Sequence, residues 1–280
     1  MHQFLLRLLL YLNTFLIGTG WCLAESTLEK ARLQGVIRVG FANEAPFSYA
    51  TSSGRFTGES PEVFKQIMQR LGVARVEGVL TEWATLIPGL KAGRFDAIVS
   101  GMYITPRRCK QILFSNPTYA IDEAFIVKNG NPEGVTNFVE AAEKDVKLAL
   151  VAGTVEMRYA KIAGLSRMQW VVVPDFASAV ATVRSGRAAA AALTSLTAKT
   201  IAAKDDAIES AEPFVFTHQG KRFRSQGAFG FRKEDDELRD AVNNALAEFI
   251  GSEKHLELIA PFGFDAGNLP DQSADQLCRN

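Results

Sequence analysis

Residues 101–120 read GMYITPRRCKQILFSNPTYA. The run just before them, FDAIVSG (95–101), is short, apolar and β-branched, which predicts a buried strand. That strand enters a tight polar turn. Arg107 and Arg108 follow, and then a Ser-Asn-Pro-Thr-Tyr corner. An arginine here either faces water as an ordinary surface charge or is aimed at a ligand. Which of the two holds depends on the units on either side.

Upstream, GVIRVGFANEAPFSYA (35–50) begins with a second buried strand, broken between Asn43 and Pro46. GRFTGES (54–60) reads as a turn. PEVFKQIMQRLG (61–72) predicts a helix with Ser60 as N-cap and Pro61 at the first helical position. Its residues Val63, Phe64, Ile67, Met68 and Leu71 share one face. RVEGVLTEW (75–83) is a further strand, followed by a short helix over ATLIPGLKAG (84–93). Strands alternating with helices define an α/β block with a largely parallel sheet.

Downstream the pattern repeats. DVKLALVAGT (145–154) is a strand entering a Gly-Thr turn, and VEMRYAKIAG (155–164) is a helix. MQWVVVP (168–174), DFASAVATVRSG (175–186) and AAAAALTS (188–195) read as strand, helix and strand. The last part opens as a strand over GAFGF (227–231). It becomes an amphipathic helix carrying Leu238, Val242, Leu246 and Phe249. The tail after Phe264 is rich in Asp, Gly, Asn and Pro and is expected to be loosely ordered. The fold class is α/β in two lobes, with AFIVK (124–128) and GAFGF as the strands between them.

Composition narrows function. Of 280 residues, 47% are hydrophobic and 22% charged, with 31 Lys plus Arg against 31 Asp plus Glu. That balance gives no electrostatic footprint for nucleic acid. The mixed run RKEDDELRD (232–240) reads as a solvated helix face. Residues 1–24 carry an early Arg7, an apolar stretch, no acid, and Cys22 and Ala24 at the −3 and −1 positions of a cleavage site. They read as a signal peptide for export to the periplasm. An oxidising compartment follows, and the two remaining cysteines, Cys109 and Cys278, are enough for one bridge. His2, His218 and His255 are scattered, so no metal site and no cofactor are expected.

The order of motifs resembles the bacterial extracellular solute-binding proteins of family 3, the receptors of polar amino-acid ABC transporters. Four stretches carry it: IRVGFANEAPFSY, GLKAGRFDAIVSGMYITPRRCKQILFSNPTY, LALVAGTVEMRYA, and the closing FRKEDDELRDAVNNALAEFIGSEKHLELIAPFG. Within the family, GVLTEWATLIPGLKAGRFDAIVSGMYITPRRCKQILFSNPTY and AALTSLTAKT are most similar to ectoine and hydroxyectoine binders. The resemblance implies a two-lobed type II periplasmic binding protein with two hinge crossings. It places lobe 1 at 25–124, lobe 2 at 125–227, and a return to lobe 1 over 228–280. It also puts Cys109 and Cys278 in the same lobe, so a disulfide between them is expected. Two departures stand out. GESPEV places Glu59 and Pro61 where the family has hydrophobic residues. Thr194 stands where amino-acid binders place an acid.

On this resemblance Arg108 matches the arginine that binds a ligand carboxylate, while Arg107 faces water. Guanidinium is planar, forked and always charged, and so it fits a carboxylate bidentately. Backbone N–H groups after Gly101, and Gly153–Thr154 at a helix start in the other lobe, are expected to complete the carboxylate site. Phe47, Trp83 and Tyr103 follow strand ends, where open α/β lobes bind ligands. They are expected to form an aromatic box for a delocalised cation, with Glu44 as its acid partner. With Thr194 in place of an acid, the expected ligand is a small zwitterion of the ectoine type. The alternatives are a polar amino acid such as glutamine or arginine, and an enzyme resembling the periplasmic cyclohexadienyl dehydratases. The dehydratase reading lacks a partner for Glu44 as general acid or base. The expected protein is a monomer and not an enzyme. Its partners are the small zwitterionic ligand and a membrane ABC permease.

Overall fold

The computed structural model describes residues 25–218 and 220–279; the expected signal peptide, 1–24, lies outside them. The chain opens with the helix Thr27–Gln34, capped by Ser26. Strands β1 (Val36–Phe41), β2 (Tyr49–Ala50) and β3 (Phe56–Thr57) follow. The next helix spans Glu59–Arg70, one residue ahead of the expected Ser60 cap. Gly58 takes the cap position at φ 131, and a Cβ there would lie 2.5 Å from the Phe47 carbonyl oxygen. Only glycine allows that approach. The expected apolar face is present, with Val63, Phe64, Ile67 and Met68 buried.

The remaining lobe 1 strands are β4 (Arg75–Leu80), β5 (Ala97–Tyr103), β6 (Leu113–Phe114) and β7 (Tyr119–Ile121). The second lobe contains β8 (Glu123–Lys128), β9 (Leu148–Val151), β10 (Trp170–Val173), β11 (Ala190–Thr194) and β12 (Ile208–Ala211). A small ribbon, β13 (Thr217–His218) with β14 (Lys221–Arg222), precedes β15 (Ser225–Phe231).

Two sheets result. One has the order β4-β1-β5-β15-β6, with β7 also on β15; the other has the order β10-β9-β11-β8-β12. β1 is parallel to both β4 and β5, and β9 is parallel to both β10 and β11. The returning β15 runs antiparallel to β5, and β8 antiparallel to β11. Every residue of β5, β9, β11 and β15 is buried. That burial is why these strands read as unbroken apolar or small-residue runs rather than alternating ones.

Sheet membership puts the crossings at Asp122 and between Ala211 and Ser225. The boundaries expected after 124 and 227 lie two or three residues further on. AFIVK belongs to the second sheet and GAFGF to the first, so neither is a connector between the lobes.

The tail is more ordered than its composition predicts. It forms the helix Ala274–Arg279, and Cys278 is bridged to Cys109 with Cα atoms 5.7 Å apart. The Ala274 amide donates to Asn116 Oδ1 at 3.1 Å. The Gln226 amide donates to Asp271 Oδ1 at 2.5 Å. Covalent and polar ties to lobe 1 override a sequence that has little intrinsic order.

Candidate functional site

The parallel strands β1, β4 and β5 of one lobe, and β9, β10 and β11 of the other, end toward a shared cleft. Loops at carboxyl ends of strands are where open α/β sheets bind ligands. Glu44, Trp83, Gly101, Tyr103, Arg108, Tyr119, Thr154, Val155, Glu156, Phe176 and Thr194 line a tight cavity there, of about 10 Å³. That is room for about one water molecule.

Arg108 sits in a four-residue helix, Pro106–Cys109. Thr105 caps it by accepting from the Arg108 amide, and Pro106 presets its first turn. The turn buries Arg108 and leaves Arg107 exposed. Arg108 Nη1 donates to the Tyr103 carbonyl at 2.8 Å, and Nη2 donates to the Gly153 carbonyl of the other lobe at 3.1 Å. Two of five donors are thereby fixed, which aims the fork while leaving N–H bonds for a ligand. The guanidinium carbon lies 5.6 Å from the Trp83 ring centre. Burial lowers the Arg108 pKa, and the charge of Glu156 opposes that effect.

Gly153 is one point of close approach between the lobes. Its φ is 81, and a Cβ there would lie 3.2 Å from Ala84 Cα. Trp83 Nε1 donates to its carbonyl at 3.3 Å. Gly101, at φ 62, is constrained too: a Cβ would meet the Tyr119 hydroxyl at 2.7 Å. That hydroxyl donates to the Gly101 carbonyl at 2.7 Å.

Glu44 is held by a relay across the cleft. Thr194 caps the helix Ser195–Ala202 and donates to Thr197 Oγ1 at 2.8 Å. Thr197 in turn donates to Glu44 Oε1 at 2.9 Å. Burial, reinforced by the charge of Glu156, pushes the Glu44 carboxyl up to about 8, against the pull of these hydroxyls. A buried acid of this kind ionises readily only when a cation arrives beside it.

Three expectations need correction. The Phe47 ring does not line the cavity. Its loop closes on itself, with Glu44 and Ser48 exchanging backbone hydrogen bonds at 2.8 and 2.9 Å. The carboxyl of Glu44 reaches the cavity, while the Phe47 ring packs 5.0 Å from Tyr119 and 5.3 Å from Phe264 in the core. Its place in the wall is taken by Tyr119 and by Phe176, which is edge-on to Trp83 at 6.0 Å.

Thr154 lines the cavity, but its hydroxyl donates to the Val151 carbonyl at 2.9 Å. The helix after it opens with Glu156, so its N-terminus meets an acid of its own rather than a free anion site. Finally, the second lobe does not lack an acid. Glu156 supplies one from the loop after β9, whereas Thr194 ends β11.

Tyr119, Val155, Glu156 and Phe176 also line the cavity, and none is among the residues expected there. Tyr119 stands in the quoted SNPTY corner, and Phe176 follows the end of β10, so the strand-end rule reaches both. Glu156 gave no comparable signal, because an acid in a first helical turn reads as a partner for the helix dipole.

The sequence matches the bacterial extracellular solute-binding proteins, family 3, over residues 37–264, and the chain belongs to that family. It is 34% identical over 260 residues to the probable amino-acid ABC transporter periplasmic-binding protein y4tE of Sinorhizobium fredii, covering 91% of this chain and 86% of the relative. It is 30% identical over 241 residues to the lysine/arginine/ornithine-binding periplasmic protein of Escherichia coli, covering 81% and 86%. Among solved structures it is similar to EhuB in complex with hydroxyectoine. There the TM-score is 0.82 and the identity 34%, over 91% of this chain and 98% of that one. The two-lobed architecture is that of type II periplasmic binding proteins.

Proposed function

We propose that the chain is the periplasmic substrate receptor of an ABC importer, and that it closes its two lobes on a small zwitterion. In this reading Arg108 takes the ligand carboxylate. Glu44 takes a cationic nitrogen group at the other end, and Trp83, Tyr103, Tyr119 and Phe176 cover the faces between. The observation that carries the reading is one buried arginine and one buried, proton-holding acid on the wall of a single aromatic-lined cavity between lobes. Ectoine and hydroxyectoine fit that description. Each is a flat cyclic amidinium with one carboxylate, and the similarity to the EhuB complex supports them. The receptor acts as a monomer, performs no chemistry, and presents its closed form to a membrane permease.

A second reading is an α-amino acid, in which case the E. coli relative is the nearer guide to ligand. Glu156 favours it. It is the acid whose charge acts most strongly on Arg108, where an α-ammonium would sit beside its own carboxylate. Titration calorimetry with ectoine, hydroxyectoine, glutamine and arginine separates the two. The first reading expects an ectoine to bind at least about tenfold tighter than either amino acid, a gap of about 1.4 kcal/mol. Tighter binding of an amino acid selects the second.

A further inference from the structure

The first crossing between the lobes is held unequally at its two ends. On the lobe 2 side it enters β8, six residues long and paired along both edges, to β11 and β12. On the lobe 1 side it leaves from β7, three residues long and paired only with β15 among the described strands. A short strand with one partner has little stability of its own. Ala120 of β7 lies opposite Gln226 of β15, and Ile121 opposite Ser225. The two crossings therefore leave lobe 1 side by side, one through Asp122 and the other through Arg224. A bend between the lobes would spread into this thin ribbon unless something stiffened it.

The tail lies against that ribbon. Arg224 Nη2 donates to the Ala120 carbonyl at 3.3 Å and also to the Gly267 carbonyl. One nitrogen of the second crossing thus joins the end of the first to the tail. Asn268 Nδ2 donates to the same Ala120 carbonyl at 3.3 Å. Gln226 Nε2 donates to Asp271 Oδ1 at 2.5 Å, and Gln226 Oε1 accepts from the amides of Asp271 and Gln272 at 3.3 and 3.4 Å. Gln226 is 2% exposed, so the tail supplies the partners that its buried amide needs.

The tail is itself fixed on both sides of these contacts. Before them, the Phe264 ring packs 5.3 Å from Phe47 and 5.4 Å from Tyr119 in the lobe 1 core. Asp265 then caps a short turn by accepting from the Gly267 amide at 2.7 Å. After them come the Ala274 bond to Asn116 and the Cys278–Cys109 bridge, both to lobe 1.

We infer that residues 265–278 are a strap across the lobe 1 root of the hinge. The strap confines bending to Asp122 and to the chain ahead of Arg224, and so limits how far the lobes part. Only its effect on affinity rests on the receptor reading above. In that reading the closed form is held by the ligand and by contacts between the lobes, so the strap acts on the open form. Loosening it gives the open form more conformations and leaves the closed form as it is. Closure then costs more entropy, and affinity falls. The bridge is a second anchor of the strap and not the part that touches the crossings. Without it the contacts of Ala274, Gln226 and Arg224 still seat the tail.

The test reads lobe separation directly. β4 and β10 are the sheet edges farthest from the crossings, and Glu77 on one and Val172 on the other are exposed. Nitroxide labels on Glu77→Cys and Val172→Cys report the distribution of distances between the lobes by double electron–electron resonance. Arg224→Ala removes both bonds from the second crossing, and Asn268→Ala is a milder variant that removes one bond to Ala120. Without ligand, Arg224→Ala should show a longer mean distance and a broader distribution than the wild type, and Asn268→Ala a smaller change of the same sign. Unchanged distributions in both variants, with or without a loss of stability in urea, overturn the strap. With hydroxyectoine or arginine at saturation, whichever the wild type binds, the distributions should coincide, and calorimetry should give a few-fold weaker binding to Arg224→Ala. A difference in distance that persists at saturation, or equal affinity despite a wider open form, overturns its action on closure. Should neither solute bind the wild type, the receptor reading fails, and the ligand-free distances still decide the strap.

Discussion

The two walls of the cleft are built differently. The lobe 1 wall holds a cation among aromatic rings: Arg108 with Trp83, Tyr103 and Tyr119. It is braced from behind by the Thr105 cap, by the Cys109–Cys278 bridge beside Arg108, and by the packing of Phe47 against Tyr119 and Phe264. The lobe 2 wall offers an acid, hydroxyls and one ring: Glu156, Thr154, Thr194 and Phe176. All lie at or beside the junction of a strand end with a helix start. No disulfide braces it among the described residues. On the proposed reading a ligand carboxylate would meet the fixed fork of lobe 1, and its cation would meet Glu44 of lobe 1 with Glu156 facing it from lobe 2. Glu44 joins the two, because it belongs to lobe 1 yet takes its hydrogen bond from Thr197 of lobe 2.

The largest expected contrast is between two phenylalanines. Phe47 is in the brace, and Phe47→Ala should cost about 3–5 kcal/mol of stability, the usual range for emptying a buried aromatic site. Phe176 is on the wall, and Phe176→Ala should act mainly on affinity, by about 0.5–2 kcal/mol if it faces a ligand cation. Urea unfolding and calorimetry on both variants decide this. If Phe47→Ala keeps full stability and loses only affinity, the ring belongs to the wall after all.

The bridge should come next. Cys278→Ala opens a link across 169 residues and should lower stability by roughly 2–4 kcal/mol, with ligand affinity nearly unchanged. A large loss of affinity at intact stability would mean that the bridge sets the position of Arg108, not only the order of the tail.

The arginine pair sharpens the comparison further. Arg108→Lys keeps the charge and loses the fork, and it should weaken binding by about 1.5–3 kcal/mol, the scale of a charged hydrogen bond. Arg107→Lys, on the exposed side of the same turn, should change little. Equal effects in calorimetry contradict the assignment of Arg108.

The smallest effect is expected at Thr194. Thr194→Ala removes a helix cap and should cost about 1 kcal/mol of stability. It also removes one hydroxyl from the relay to Glu44, so the affinity change should stay small beside that at Arg108. A larger loss at Thr194 than at Arg108 would move the anchor of the site to lobe 2.

The same difference between walls explains what could be read from sequence. The alternation of buried strands and helices was plain because β5, β9 and β11 are buried along their whole length and read as unbroken runs. Glu44 lies in the phrase IRVGFANEAPFSY, and Trp83, Tyr103 and Arg108 lie in GVLTEWATLIPGLKAGRFDAIVSGMYITPRRCKQILFSNPTY, so their neighbours marked them. Phe47 shares the phrase of Glu44, yet the loop turns its ring inward. A ring beside a strand end carries no sign of which way it points. Glu156 was invisible for a different reason. It lines the same cavity as Tyr103 and Arg108 of the other lobe, and neither is near it in sequence. The tail is more ordered than its composition implies because its order comes from one distant cysteine and a few polar contacts, which composition does not register.

The central claim is that this receptor grips a small zwitterion by its carboxylate at Arg108 and closes lobe 2 upon it. The most direct measurement is titration calorimetry of hydroxyectoine into the wild type and Arg108→Lys under identical conditions. The account expects one-to-one binding by the wild type and a loss of at least about tenfold in the variant, or about 1.4 kcal/mol. Hydroxyectoine bound equally well by both proteins, or by neither while glutamine and arginine are also silent, would contradict it.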